Sequence, residues 1–524
     1  MLRYIRVFLF MLLFKTLGMG QIVRSMQAGD KSPSQTSLDE LLDRISGLPA
    51  EYKADLGFAI IDAGPRSLSP KRKRALLDDI SHSAASAHYP YMVVEAAGHA
   101  HSDTLSHVTR NMLAMLKLDT LDIQTRAIER ALPSSPQFAS HLFEELNLGE
   151  VRAFCKDAMV EDVSVFYVTA AKIIEDKRIK TVFKHDKVLY LQSLASNLRV
   201  PAQIAPLANL MIQVPLSPEQ LGQVEMAFVS SLSTITASDR EMTAAEEGED
   251  LSHVIGSLSA KLTQSGISSQ PLLAAYRGFL LRGLTPERCA DHSLDRTEMA
   301  QHFDALLPDK PPDSSDMSPL SRSQLNPEST GDAASYQIVP FNEQMMAKMQ
   351  RIMAAHQARV TGEYRSGQPG TIEPEPSDVE DVVKYAISLE PSGAECPVCD
   401  FHAKGHILMM LIDILPAGQE LERAISAEVD YMSLNVMQND DPIAWLALFK
   451  HLLNDGRKPQ EEATAALAAE AKKGMLPWGL PNPEAGVIRK SLRSSSDPII
   501  VAYMSADDLL HLPYLTIMQQ AHAK

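Results

Sequence analysis

The chain has 524 residues, 45% hydrophobic but only 6% aromatic, and a formal net charge of -17. That length exceeds one ordinary core and argues for two or three domains. A body this acidic repels phosphate backbones, so no nucleic-acid partner is expected. Its one short basic run, Lys71-Arg72-Lys73-Arg74, reads as a solvated helix start behind Pro70.

The N-terminus has the layout of a secretory signal over residues 1–20. Arg3 and Arg6 form a basic n-region, Val7 to Phe14 an unbroken apolar core, and Gly18-Met19-Gly20 a small-residue cleavage site. Lys15 interrupts the apolar run early. The run is too short to span a bilayer, and no other stretch is long and apolar enough, so no transmembrane span is expected. The expected location is periplasmic or extracellular. Four cysteines suit an oxidising compartment without implying a disulfide-dense scaffold.

Plentiful Ala, Leu and Met favour helix over sheet, because these side chains lose little rotamer freedom in a helix. Residues 21–36 are polar and read as a flexible lead-in. Leu38, Leu41, Leu42 and Ile45 then recur at helical spacing up to Gly47-Leu48-Pro49. Helices follow over Ala50 to Asp62, Lys71–His88, Tyr91–Lys117, Thr120–Ala131 and Pro136–Leu146. Gly47-Leu48-Pro49 and Leu132-Pro133 each lead into a helix ending at a glycine, Gly64 and Gly149. This fits stacked helical hairpins, and equally an irregular helical domain.

Helical pattern continues over 151–232, broken near Pro201 and Pro206. The acidic stretch from Thr234 to Asp250 lacks calcium-loop register and reads as a solvated loop. Leu251–Leu284 again carries helical stripes. Residues 307–335, with Pro308, Pro311, Pro312, Pro319 and Pro327, read as a disordered linker. It separates a helical region at 37–306 from a second at 336–524. The fold class expected is therefore all-α, an irregular or solenoid-like stack of amphipathic hairpins in two regions.

In the second region Phe341–Val360 carries Met345, Met346, Met349 and Met353, a pattern usually of core filling and less often of a copper site or an adaptable peptide surface. Ser377-Asp378-Val379-Glu380 has capping-box form. Gly418–Met437 places Leu421, Ile425, Val429, Met432 and Val436 on one stripe. Asp441-Pro442 starts a helix whose stripe holds Leu446, Phe449 and Leu453, with Trp445 beside it. Ile499–Tyr503 is the one good strand candidate in this region.

The densest chemistry lies in Cys396-Pro397-Val398-Cys399-Asp400-Phe401-His402-Ala403-Lys404-Gly405-His406. With Pro397 at the first helical position, Cys399, His402 and His406 fall on one helix face, and Cys396 at the N-cap can turn toward them. Thiolates and imidazoles in that arrangement suit tetrahedral zinc. Cys289 with His292 is the other Cys-x-x-His pair. A local disulfide, or buried thiols with two helix-face histidines packed in a core, is the first reading, ahead of the metal site.

Cys396-Pro397-Val398-Cys399 at a helix start also resembles the active site of thioredoxin-like oxidoreductases. That resemblance implies an attacking thiolate at Cys396. The segment before it reads as a helix, where that family has a strand. Covalent haem attachment requires a histidine directly after the second cysteine, and Asp400 stands there. Gly98-His99-Ala100-His101-Ser102-Asp103-Thr104 resembles the zinc signature of metallo-β-lactamase-fold hydrolases, with Thr104 in place of the last histidine. Metalloprotease, nucleophile-elbow, phosphate-loop and dinucleotide signatures are missing. The expected role is an exported interaction or scaffold protein with a protein or peptide partner and no named catalytic residue. The alternative is a zinc or thiol-redox protein centred on Cys396, Cys399, His402 and His406.

Overall fold

Helix signals in the sequence become nineteen α-helices among the described residues of the computed structural model, with no strand among them. Described are residues 37–65, 67–87, 116–146, 148, 162–179, 187–238, 241–242, 245, 250–284, 296–307, 318–320, 343–361, 375–389, 397–415, 418–433, 442–455 and 485–510. The fold is all-α, as the composition implies. The signal-like residues 1–20, the lead-in 21–36 and the His99–His101 stretch lie outside this set.

The first helices are α1 (Leu38–Ser46), α2 (Ala50–Ala63), α3 (Pro70–Ser83), α4 (Thr120–Ala131), α5 (Pro136–Glu144), α6 (Ser164–Glu175) and α7 (Lys187–Ser196). Next come α8 (Ile204–Gln213), α9 (Pro218–Leu232), α10 (Leu251–Gln264), α11 (Gln270–Gly283) and α12 (Arg296–Asp304). The second region holds α13 (Glu343–Thr361), α14 (Pro376–Ser388), α15 (Pro397–Ile414), α16 (Gln419–Met432), α17 (Pro442–Asp455), α18 (Ala485–Ser494) and α19 (Pro498–Leu510).

Local chemistry sets many of these ends. Ser69 accepts a hydrogen bond from the Arg72 amide before Pro70, and Asp119 does the same for Asp122. Ser217 and Gln220 form a reciprocal capping box at α9. Gly64 closes α2 in the left-handed region at φ 55°. The helical stretch expected over Leu251–Leu284 is two helices, parted at Gly266 with φ 77°.

Three expectations are corrected. Ile499–Tyr503 is not a strand but the first turns of α19. The Asp497 carboxylate accepts from the Ile499 and Ile500 amides at 2.9 and 3.1 Å, and Pro498 occupies the first helical position. A β-branched run thus yields to a strong N-cap. Ser377 is not the cap of α14. Its helix begins at Pro376, Glu380 pairs with Lys384, and Asp378 turns to Arg351 on α13. Trp445 does not flank its stripe but is fully buried, stacked on Phe449 and edge-on to Tyr52.

The described residues from Leu38 onward belong to a single compact unit. The two helical regions meet directly within it. The last helix, α19, packs on α1 and α2, and α17 also packs on α2. At that junction the buried Asp55 carboxylate accepts from Tyr503 Oη at 2.6 Å and from the Lys450 ammonium. Within the stretch expected as linker, Ser318–Leu320 are docked: Arg277 holds Ser318, and the Leu320 amide donates to Asp304.

A second device recurs. The last carbonyls of a helix lack partners within it. Here a basic side chain from elsewhere in the fold supplies them. Lys261 donates to Met211 and Ile212 at the end of α8, and Arg282 to Leu232 and Ile235 beyond α9. Arg178 serves Leu132 and Pro133, Arg296 serves Leu284, and Lys404 serves Ile387 and Leu389. Cations at helix C-termini also oppose the negative end of the macrodipole.

Removing the Asp55 charge with Asp55→Asn leaves Lys450 without its counter-charge. The expected loss is about 3–5 kcal/mol. Tyr503→Phe removes one hydrogen bond to a charged group and should cost about 2 kcal/mol. Chemical denaturation of both variants measures this; wild-type midpoints for both would show that the two regions are not joined there.

Candidate functional site

Helix α15 is where the sequence concentrates thiols and imidazoles. It starts at Pro397, as its position after Cys396 predicts. Cys399, His402 and His406 therefore lie on one helix at i, i+3 and i+7. Their side chains lie outside the described residues, as do Cys396, Cys155 and Cys289. Among the described residues no group of three or more His, Cys, Asp or Glu side chains is disposed to hold a metal ion.

The surroundings of α15 are well defined. It packs on α13, α14, α16 and α17. Gly405 makes the approach to α17 close: a Cβ there would come within 2.6 Å of Leu448 Cδ1. Lys404, one residue earlier, caps α14 and lies 5.1 Å from the Tyr431 ring centroid on α16. On the α17 side, His451 Nε2 is 3.3 Å from Asp413 near the end of α15. Leu408, Leu411 and Ile412 are buried in the shared core.

Beside α15, within α16, sits Glu428. It is fully buried, and neither carboxylate oxygen has a hydrogen-bond partner among the described residues. Burial pushes its carboxyl up to about 8, opposed only in part by His451 and Lys404. At neutral pH the group is therefore mostly the neutral acid. Ionisation of Glu428 would leave a buried charge with no hydrogen-bond partner among the described residues.

Sequence reasoning missed Glu428, though a signal was there. Leu421, Ala424, Ile425, Glu428 and Met432 lie at helical spacing on the buried stripe of α16. An acid at a stripe position marks a buried ionisable group. Glu225 repeats the pattern in α9 between Leu221, Val224 and Phe228, and burial raises its carboxyl too.

A second carboxylate locus opens α4. Burial raises both Asp119 and Asp122, the latter to about 8, and the Asp119 charge adds to the rise at Asp122. Asp119 also caps the helix, accepting from the Asp122 amide at 2.8 Å. Nearby, Arg126 donates to Leu116 and Lys117, and Lys117 has φ 51°. Both Arg126 and Arg130 lie 4.5 Å over the Phe58 ring. These groups bind α4 to α2 and its flanks.

With this geometry in hand, comparison with known proteins gives no further lead. No protein-family model matches the chain, nor does any curated protein or solved structure. No described helix is long and apolar enough to cross a membrane.

The sign of the pH effect follows from Glu428. Its carboxyl is raised in the folded state, so the folded protein binds the proton more tightly than the unfolded chain. This contribution is complete below pH 4.5 and is lost as pH rises toward about 8. Stability should fall across that window with a Glu428 contribution on the order of 1 kcal/mol per pH unit. Glu428→Gln should flatten the profile and be more stable than wild type at pH 8. Denaturation midpoints at several pH values read both; an unchanged slope would mean that Glu428 is ionised and solvated.

Proposed function

We propose that this protein is an exported helical interaction module whose partner-binding face lies on α13. One observation carries the reading. Val168, Leu189, Met226, Met346 and Met353 are the exposed large hydrophobics among the described residues, and only the last two share a helix. They lie seven residues apart, so they stand on one face two turns apart. Ala347, Gln350 and Ala354 are exposed between and beside them, so the face carries no charged side chain at these five positions. The opposite side of α13 is buried through Met349, Ile352 and Ala355.

A helix with one buried stripe and a second, uncharged exposed stripe has more apolar surface than its own packing uses. Methionine suits such a surface, because its flexible thioether adapts to a partner's shape. The signal-like residues 1–20 supply the exported part of the reading.

A second reading keeps the thiol–histidine helix as a zinc or redox centre. It is favoured by the start of α15 at Pro397 and by the orphaned Glu428 carboxylate beside it. Elemental analysis with a free-thiol count separates its versions. About one zinc per chain, released by chelator with loss of folding, supports a metal centre. Metal-free protein without free thiols supports a disulfide staple.

Oxidation footprinting tests the interaction reading. The rate of Met346 and Met353 sulfoxide formation is compared between dilute purified protein and protein in its native medium, with Met226 as the exposed reference. Slowing at Met346 and Met353 alone is the expected outcome. Equal rates at all three residues in both settings would remove the basis for a partner on this face.

A further inference from the structure

We infer that the partner of the α13 face is a second copy of this chain, paired antiparallel about a two-fold axis through Gln350. The inference rests on the interaction reading above and adds the identity of the partner. Two features of the face lead to it.

The first is shape. Besides Gln344 and Arg351, which stand to its sides, the exposed positions of α13 are Met346, Ala347, Gln350, Met353 and Ala354. A two-fold axis at Gln350 brings together positions equally far on either side of it. Met346 then meets the partner's Ala354, and Ala347 meets the partner's Met353. Each long side chain faces a short one, twice over, as close helix packing needs. Gln350 meets the partner's Gln350, and an amide both donates and accepts, so the pair can satisfy itself across the axis. An isologous contact requires this kind of self-complementarity. No parallel pairing in register gives it, since methionine would then face methionine and alanine face alanine.

The second feature is charge. Lys348 and Arg351 flank the face, and both are already neutralised by α14. Lys348 pairs with Asp381, and Arg351 makes two hydrogen bonds to Asp378 at 2.8 and 2.9 Å. Arg351 holds the Asp378 carboxyl below its ordinary value. Next along α14, Glu380 pairs with Lys384 at 2.6 Å. A strongly acidic or basic partner would find these charges engaged, whereas two copies of the face meet without local repulsion. Among the described residues α13 packs on α14 and α15.

The same charges set the strength and the salt response. The stripe spans nine residues from Met346 to Ala354, a rise of about 12 Å, and its area falls well below the roughly 800 Å² per partner of a standard stable interface. The dimer is therefore weak and concentration-dependent. Each chain carries a formal net charge of -17, so distant repulsion opposes encounter and salt should strengthen association by screening it.

Sedimentation velocity on the full chain, from low micromolar to its solubility limit and at two salt concentrations, provides the test. Wild type should shift from monomer toward dimer with concentration, more so at high salt. Met346→Ala removes a side chain at two symmetric places and should weaken association by at least about tenfold. Ala354→Met sets methionine against methionine and should also weaken it. The double variant Met346→Ala/Ala354→Met exchanges long and short across the axis and should recover association. Unfolding midpoints equal to wild type confirm that these exposed changes leave the fold intact.

A chain monomeric at its solubility limit overturns the inference, as does a double variant no better than the single ones. The footprint then separates the two claims. Monomeric protein with Met346 and Met353 protected in native medium keeps an interaction face with a different partner. Monomeric protein with both residues unprotected removes the interaction reading as well.

Discussion

One carboxylate ties the two ends of the folded chain together. Asp55, on the second helix, accepts from Lys450 and Tyr503, which lie on helices near the other end. Around it Tyr52, Trp445, Phe449 and Tyr503 form a continuous run of aromatic contacts. Trp445 also donates its indole N–H to the Met432 carbonyl at 2.7 Å, which brings the end of α16 into the same junction. In a chain with only 6% aromatic residues, gathering four of them here concentrates much of the large-side-chain packing at one seam. Because the Asp55 charge is buried, the seam tolerates no loosening: parting the helices would expose the aromatics and leave Asp55 and Lys450 without counter-charges.

The rest of the architecture follows a complementary rule. An all-α fold of short helices has many helix ends, and each end presents carbonyls with no partner of its own. Lys261, Arg282, Arg178, Arg296 and Lys404 answer this by reaching from elsewhere to the last carbonyls of a helix. Basic residues are the minority charge in this protein, and several are spent on internal joints. This leaves the outside acidic and makes the neutral α13 face stand out. The packing logic of the helices and the location of the proposed interaction face thus have one electrostatic origin.

Buried acids introduce the opposite tendency. Glu428, Glu225 and the Asp119–Asp122 pair are all raised by burial, and none gains a basic partner that fully compensates. Each favours the folded state at low pH and weakens it as pH rises. Glu428 matters most for function because it lies where α16 meets α15, the helix of Cys399, His402 and His406.

Much of the fold was legible in the sequence. Helix spacing, N-caps such as Asp119 and the glycine end at Gly64 act within a few residues, so the chain alone determined an all-α protein and most helix starts. It also determined the helical start at Pro397. Where two local signals conflicted the reading failed: the β-branched run at Ile499–Tyr503 suggested a strand, but the Asp497-Pro498 cap made it a helix. Tertiary structure alone decided the rest. Trp445 became central because α2 and α17 meet, Asp378 became an ion-pair partner rather than part of a cap, and Glu428 lost its water because α15 covers α16. Each outcome depends on which distant surface arrives at a side chain, and hydrophobic periodicity says only that some surface must.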